Sequence, residues 1–281
     1  MAAFRDYLRS NALPHIWCPG CGHGIVLGAL LRAIARLDPP KDEVIVVSGI
    51  GCAARATTYL DFNTLHTTHG RALAFGTGIK LARPGLRVIV ITGDGDAAAI
   101  GGNHLIHAAR RNIGITAVCF NNSIYGMTGG QYSPLTPVGA FATTAPHGHV
   151  EPAFDVCRLA AAAGASFVAR GTAYHAAQLS QLIYQGLLNE GFSFVEAVSQ
   201  CPVSYGRRNR MGGPEKMLLW QKEHALNVRA AETVPPEERE GKFLVGVLHS
   251  EERPEYASAY GSLIQRLKPG PGATGDLGGD S

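Results

Sequence analysis

Asp94 and Asn122 are the residues whose types and spacing carry the most chemistry in this chain. Asp94 stands in the run Gly93-Asp94-Gly95-Asp96, and Asn122 closes the pair Asn121-Asn122. A carboxylate, an amide oxygen and nearby backbone carbonyls are hard oxygen donors. Mg2+ takes such a set and completes its octahedron with phosphate oxygens. The glycines let a backbone approach a pyrophosphate closely, and free N–H groups at the start of a following helix favour its charge. The pattern reads as a Mg2+–diphosphate site. The bland alternative, solvated acids in a strand-end turn, leaves the downstream asparagine without a purpose.

Six cysteines form two groups. Cys119 lies mid-strand and Cys157 mid-helix among apolar neighbours, and both read as buried structural thiols. The other four are loop residues or follow element ends. Cys18 and Cys21 form a CxxC inside Trp17-Cys18-Pro19-Gly20-Cys21-Gly22-His23, Cys52 follows Gly49-Ile50-Gly51, and Cys201 follows an apolar run. Four such thiolates suit an iron–sulfur cluster or zinc, and spacing alone does not choose. A thioredoxin-type exchange motif follows a strand, and no strand pattern precedes Trp17. Disulfides are not expected in a chain without an export signal.

These groups need elements to bring them together. The apolar runs Arg87–Ile91 and Ile115–Phe120 predict buried strands, joined by a helix-length stretch from Ala97 to Asn112. A right-handed strand–helix–strand unit makes them parallel, so Asp94 and Asn122 emerge at one carboxyl edge, where open α/β sheets bind ligands. Upstream, Ile25, Leu27, Leu30, Leu31 and Ile34 repeat at helical spacing over Gly24–Leu37, and Asp38-Pro39-Pro40 ends that helix. A strand over Glu43–Ser48, a polar and aromatic loop to His69-Gly70-Arg71 and a helix over Ala72–Leu81 complete the first half. After a long loop to Pro152 come helix Ala153–Ala163, strand Ser166–Ala169, helix Tyr174–Asn189 and strand Phe192–Ser199. This alternation predicts an α/β fold, a mainly parallel sheet with helices on both faces.

From Tyr205 the pattern fades into a polar extension that contains Arg207-Arg208-Asn209-Arg210. The expected organisation is a cofactor-binding α/β domain over 1–205 and a C-terminal extension over 206–281. The last dozen residues of that extension, rich in Gly and Pro, are expected to be disordered. With 281 residues, 46% hydrophobic and 17% charged, the composition is that of an ordinary soluble globular protein. A net charge of +3 is too small to argue for nucleic acid. No apolar run reaches the length of a membrane span. The N-terminus carries Asp6 and lacks an apolar signal core, so a cytoplasmic location is expected.

Five motifs occur in order: Trp17-Cys18-Pro19-Gly20-Cys21-Gly22; Gly49-Ile50-Gly51-Cys52; Thr68-His69-Gly70-Arg71; Gly93-Asp94-Gly95-Asp96; and Asn122 with Tyr125-Gly126-Met127-Thr128-Gly129-Gly130-Gln131. Over residues 15 to 202 the chain resembles the thiamine-diphosphate-binding β subunit of the 2-oxoacid:ferredoxin oxidoreductases, and ordered co-occurrence is far more specific than one motif. The segment Tyr125–Gln131 with His66-Thr67-Thr68-His69 looks most like the 2-oxoglutarate branch. Branched-chain and pyruvate enzymes are near relatives.

The resemblance implies a thiamine-diphosphate-binding fold and a site, residue by residue. Cys18, Cys21, Cys52 and Cys201 would hold one [4Fe–4S] cluster, so the resemblance chooses iron–sulfur over zinc. Asp94, Asn122 and the carbonyl of Ile124 would bind Mg2+. Gly93, Gly95, Asp96, Gly126, Met127 and Thr128 would surround the diphosphate. Ile50, Gly51, Cys52, Ala53 and His69 would line the rest of the cofactor. The implied reaction is decarboxylation of a 2-oxoacid, with coenzyme A taking the acyl group and electrons leaving through the cluster to ferredoxin.

Thiamine enzymes activate the cofactor through a glutamate, and no glutamate lies among these motifs. The family supplies it from an α subunit, so an αβ unit is expected, paired into α2β2. No residue of this chain is a certain catalytic group. His69 is the candidate, with a hydrogen-bonded loop histidine as its plain alternative. Arg55 follows Cys52 closely, and its guanidinium suits the distal carboxylate of 2-oxoglutarate or, equally, a surface ion pair. Arg207-Arg208-Asn209-Arg210 suits coenzyme A phosphates or the partner subunit, with a solvated basic turn as the simpler reading. Two other functions compete: a non-redox thiamine enzyme half, which has no use for four loop cysteines, and a zinc-stabilised binding module.

Overall fold

The computed structural model describes residues 4–268, and the expectation for the last dozen residues lies outside them. Eight strands form one sheet: β1 (Val44–Ser48), β2 (Asn63–His66), β3 (Arg87–Gly93), β4 (Ile115–Asn121), β5 (Phe167–Thr172), β6 (Ser193–Val198), β7 (Ala225–Asn227) and β8 (Phe243–Ser250). Their order is β2-β1-β3-β4-β6-β5-β8-β7. The first six are mutually parallel, and β8 joins β5 antiparallel.

The helices are α1 (His23–Leu37), α2 (Ala56–Tyr59), α3 (Ala72–Ala82), α4 (Gly102–Arg110), α5 (Val156–Ala162), α6 (Ala176–Leu188), α7 (Pro214–His224), α8 (Val228–Ala231), α9 (Pro236–Arg239) and α10 (Tyr256–Leu267). Alternation along β3 divides the core in two. Ile89 and Ile91 face one side, where Leu30, Leu31 and Ile34 of α1 and Leu179 and Ile183 of α6 pack. Val88 and Val90 face the other, against Leu73 of α3, Leu105 and Ala109 of α4 and Val156 of α5. Both faces are covered, which is why β3 and β4 read as continuous apolar runs.

The chain leaves β1 toward β2 on one side, then returns to place β3 on the other. The loops after β1 and β3 therefore diverge, opening a crevice at the carboxyl ends of these strands. That crevice positions the site.

Three stretches differ from the sequence reading. The loop before His69 contains the short edge strand β2, which the period-two rule misses because Asn63 and His66 are exposed polar residues. The helix expected over Ala97–Asn112 opens instead with a π-helical turn, Asp96–Ile100, before α4. The Gly70 backbone packs so closely on Ile100 and Gly101 there that a Cβ on Gly70 would lie 2.8 Å from the Gly101 nitrogen. The polar extension is also structured. Its β8 pairs with β5 through a register shift between Val168 and Ala169 that leaves Leu248 unpaired, and Gly246 (φ +114°) faces Arg170 beyond it. Glu255 caps α10 by accepting from Ser258 N (2.7 Å) and also takes Gly114 N (2.9 Å), tying the extension to the start of β4.

Candidate functional site

The loops after β1, β3 and β4 enclose a cavity of about 140 Å3. Ile50, Gly51, Cys52 and Ala53 come from the first loop, Gly93, Asp94, Gly95 and Asp96 from the second, and Asn122, Ile124, Gly126, Met127 and Thr128 from the third. His69, from the segment after β2, closes one side. Residues far apart in sequence thus share one wall because three parallel strands end together.

Asp94 is buried and accepts a short hydrogen bond from the Ser133 hydroxyl. Burial pushes its carboxyl up to about 7, opposed by Ser133 and by backbone N–H groups, chiefly those of Asp94 and Gly95. A buried carboxylate held so far above its ordinary range gains when a divalent cation supplies positive charge. Asn122 is buried with its Oδ1 accepting from Ile124 N (3.2 Å). The turn is held by Asn121, whose Oδ1 accepts from Ser123 N at 2.9 Å, with Ser123 at φ +59°. Tyr125 donates its hydroxyl to the Gly95 carbonyl (3.1 Å) and packs against that glycine, where a Cβ would sit 2.1 Å from the ring. The residues therefore fit Mg2+: hard oxygens on a cavity wall with glycine backbone exposed beside them.

Asp96 borders the same cavity, yet its carboxylate is occupied by the protein. Oδ1 accepts from Gly70 N (2.7 Å) and meets His69 Nδ1 (2.5 Å), and Oδ2 accepts from the Thr92 hydroxyl (2.9 Å). Oδ1 also lies 3.4 Å from Ile50 N. One side chain so clasps three cavity-lining segments together. Gly49 is required beside it, since a Cβ there would lie 2.0 Å from Asp96 Oδ2.

Cys18, Cys21, Cys52 and Cys201 line a second, smaller cavity of about 90 Å3. It shares Cys52, Asn122, Gly126 and Met127 with the first. A Cβ on Gly126 would lie 3.6 Å from Cys52 Sγ and 3.7 Å from Cys201 Sγ, so Gly126 stands beside both sulfurs in the shared wall. All four thiols are free. Burial pushes Cys21 up to about 12, opposed by the His23 backbone N–H, with the other three cysteines raising it further. Burial likewise pushes Cys52 up to about 11, helped by Cys201 and Cys18. Thiols that resist ionisation together, in a cavity of their own, suit a cationic cluster that would take them as thiolates. Among the described residues no three His, Cys, Asp or Glu side chains converge tightly enough for a single metal ion.

A thiamine pyrophosphate enzyme family, described as the C-terminal TPP-binding domain, matches residues 49–197. The chain is 54% identical over 262 residues to 2-oxoglutarate synthase subunit KorB of Methanothermobacter marburgensis, covering 93% of this chain and 92% of that protein. The chain belongs to the KorB family of thiamine pyrophosphate enzyme subunits. The KorB subunit of Methanocaldococcus jannaschii is 51% identical over 262 residues, 93% of this chain and 97% of that one. The fold is similar, at a TM-score of 0.85 and 32% identity, to a chain of 2-oxoglutarate:ferredoxin oxidoreductase from Magnetococcus marinus with 2-oxoglutarate, coenzyme A and succinyl-CoA bound, covering 97% of this chain and 93% of that one. The doubly covered parallel sheet is thus the TPP-binding fold of this family.

Other residues singled out from the sequence lie around this KorB-type site. Arg55 is exposed on the turn after Cys52 and does not line the cofactor cavity, although its charge lowers the Cys52 thiol against burial. Arg207, Arg208 and Arg210 are exposed, while Asn209 clamps Phe141 through N (2.8 Å) and O (3.1 Å). Cys119 and Cys157 are buried in the core. No glutamate lines the cofactor cavity. Glu196 is buried next door but taken by Asn121 Nδ2 (2.7 Å), Arg170 Nε (2.6 Å) and the Cys157 thiol (3.1 Å). His23 and Ser133 had no assigned role in the sequence reading. His23 stands two residues after Cys21, a detectable signal, whereas Ser133 lies in a long loop that gives none. Among the described residues no helix is long and apolar enough to cross a membrane.

Proposed function

We propose that this chain is the β subunit of a 2-oxoglutarate:ferredoxin oxidoreductase. It would interconvert 2-oxoglutarate plus coenzyme A with succinyl-CoA plus CO2, passing electrons through a [4Fe–4S] cluster to ferredoxin. The observation that carries this reading is the shared wall: a cavity with hard oxygen donors and a cavity with four thiols meet at Cys52, Asn122, Gly126 and Met127. A non-redox thiamine enzyme has no need of the second cavity.

Bound thiamine diphosphate supplies the centre that retains the electrons left behind by departing CO2. The chain's own residues prepare for it. Asp94, Asn122 and the Ile124 carbonyl would hold Mg2+, and Gly95, Gly126 and Thr128 would offer backbone and hydroxyl groups to the diphosphate. Asp96 keeps Ile50, His69 and Gly70 in place through its hydrogen bonds. Cys18, Cys21, Cys52 and Cys201 would hold the cluster across the shared wall, and a reducing cytoplasmic setting would keep them free.

The cavity is incomplete without a partner. It has no glutamate to activate the cofactor, and Ile50 and Met127 stand 41% and 43% exposed at its edge. An α subunit would supply the acid and cover this apolar rim, in an αβ or α2β2 assembly. Arg55, exposed nearby, would meet the distal carboxylate of 2-oxoglutarate when the partner closes the site.

Anaerobic co-purification with the partner subunit tests the reading. Iron, sulfide, Mg2+ and thiamine should all be present, and 2-oxoglutarate with coenzyme A should reduce a viologen dye faster than pyruvate or branched-chain 2-oxoacids do. Zinc in place of iron, with no thiamine, would instead establish a zinc-stabilised binding module.

A further inference from the structure

We propose that His23 is a positioning residue, which keeps the Asn122 side chain turned with its oxygen toward the Mg2+ site. This rests on the reading of Asn122 as a Mg2+ ligand.

An asparagine amide has one oxygen and one nitrogen of nearly equal size, and only the oxygen can ligate a cation. Turned by half a rotation, Asn122 would present N–H donors to Mg2+. Two contacts oppose that rotation. The backbone N–H of Ile124 can only donate, so its 3.2 Å contact selects Oδ1. On the other side Nε2 of His23 lies 3.4 Å from Asn122 Nδ2, a long contact that selects the nitrogen if Nε2 carries a lone pair. His23 is buried, 1% exposed, against the rings of Trp17 (5.9 Å) and Phe120 (5.3 Å). Nδ2 of Asn122 can only donate, so the 3.4 Å contact requires Nε2 to accept through its lone pair.

The proton then sits on Nδ1, which is buried without a hydrogen-bond partner among the described residues. The opposite tautomer would set Nε2–H against the Asn122 N–H groups and still leave Nδ1 unpaired. A leucine would fill this apolar nest with no unpaired nitrogen. The imidazole is therefore a costly choice for packing and a suitable one for reading the Asn122 amide.

His23 lines the cofactor cavity, and toward the thiols it offers only its backbone N–H, which donates to the Cys21 sulfur. A side-chain substitution leaves that donor in place. The cluster thus serves as an internal control.

The test uses the complex with its partner subunit, purified without oxygen and stripped of Mg2+ and thiamine diphosphate. Thiamine diphosphate is titrated back at graded Mg2+ and followed by tryptophan fluorescence for the wild type, His23→Leu and His23→Gln. Glutamine retains an acceptor oxygen and leucine does not. His23→Leu should raise the half-saturating Mg2+ about tenfold or more, and His23→Gln should stay within about threefold of the wild type. Iron, sulfide and the cluster reduction potential should be unchanged in both. Equal weakening by the two variants, or no change in either, would overturn the proposal. His23→Met replaces the leucine variant if that one does not fold. If wild-type enzyme took up thiamine diphosphate without any divalent ion, the Mg2+ site itself would fall, and the positioning role with it.

Discussion

Oδ1 of Asp96 lies 2.5 Å from Nδ1 of His69, in a carboxylate that also accepts from Gly70 N and Thr92 Oγ1. This pair joins the segment after β2 to the end of β3 and leaves Nε2 as the one ring nitrogen His69 can offer the cavity. Asp96 holds the cavity-lining segments at Ile50, His69 and Gly70 together.

Removing that carboxylate should therefore cost stability before it costs chemistry. Asp96→Ala strands several buried donors and should destabilise the chain by about 3 kcal/mol, with Asp96→Asn losing less. Gly49→Ala should be comparably harmful, because its Cβ would lie 2.0 Å from Asp96 Oδ2. Urea unfolding of the three variants checks both statements.

Asp94 makes the metal-free site sensitive to pH. Its folded carboxyl is raised from 3.8 to about 7, so between these values the folded state keeps a proton that the unfolded chain has released. The Asp94 contribution to stability without Mg2+ should thus fall as pH rises from about 4 to about 7 and level off above, opposed by His23, which burial lowers from 6.5 to about 4, since the slope follows the difference in bound protons. Mg2+ requires the carboxylate, so its affinity should rise over the same window with release of a proton. Calorimetry in two buffers of different ionisation heat measures that proton. Asp94→Asn should abolish the release and make stability fall less, or rise, with pH across that window.

The cysteine quartet separates from the two core thiols by substitution. Cys201→Ser should sharply lower iron and sulfide per chain, because serine is a poor cluster ligand. Cys119→Ser should leave both counts unchanged, since Cys119 is buried within β4. Iron retained in full by Cys201→Ser would remove Cys201 from the ligand set.

Arg55 is the test of substrate choice. Arg55→Ala should raise KM for 2-oxoglutarate about tenfold, with little change for pyruvate, if the guanidinium grips the distal carboxylate. Equal losses on both substrates would assign it to the partner interface instead.

Much of this protein is local in its sequence, and that part could be read directly. Periodicity placed α1, α3 and α6 and the strands β1, β3, β4, β5 and β6 to within a few residues, because apolar spacing is set by the neighbouring chain. The short motifs likewise named the cavity residues, since glycine, carboxylate, amide and thiol chemistry is intrinsic to each side chain. What the tertiary structure alone decided depends on residues distant in sequence. The extension beyond 205 shows little period because β8 is half-exposed and broken by Gly246, yet β5 gives it a partner. Asp96 looks like a cavity acid until Gly70 and Thr92 are seen to consume it. Ser133 reaches Asp94, and His23 reaches Asn122, only once three parallel strands end at the same edge. Hydrogen bonds of this kind carry no periodicity, so only the assembled sheet reveals which side chains serve a ligand and which serve one another.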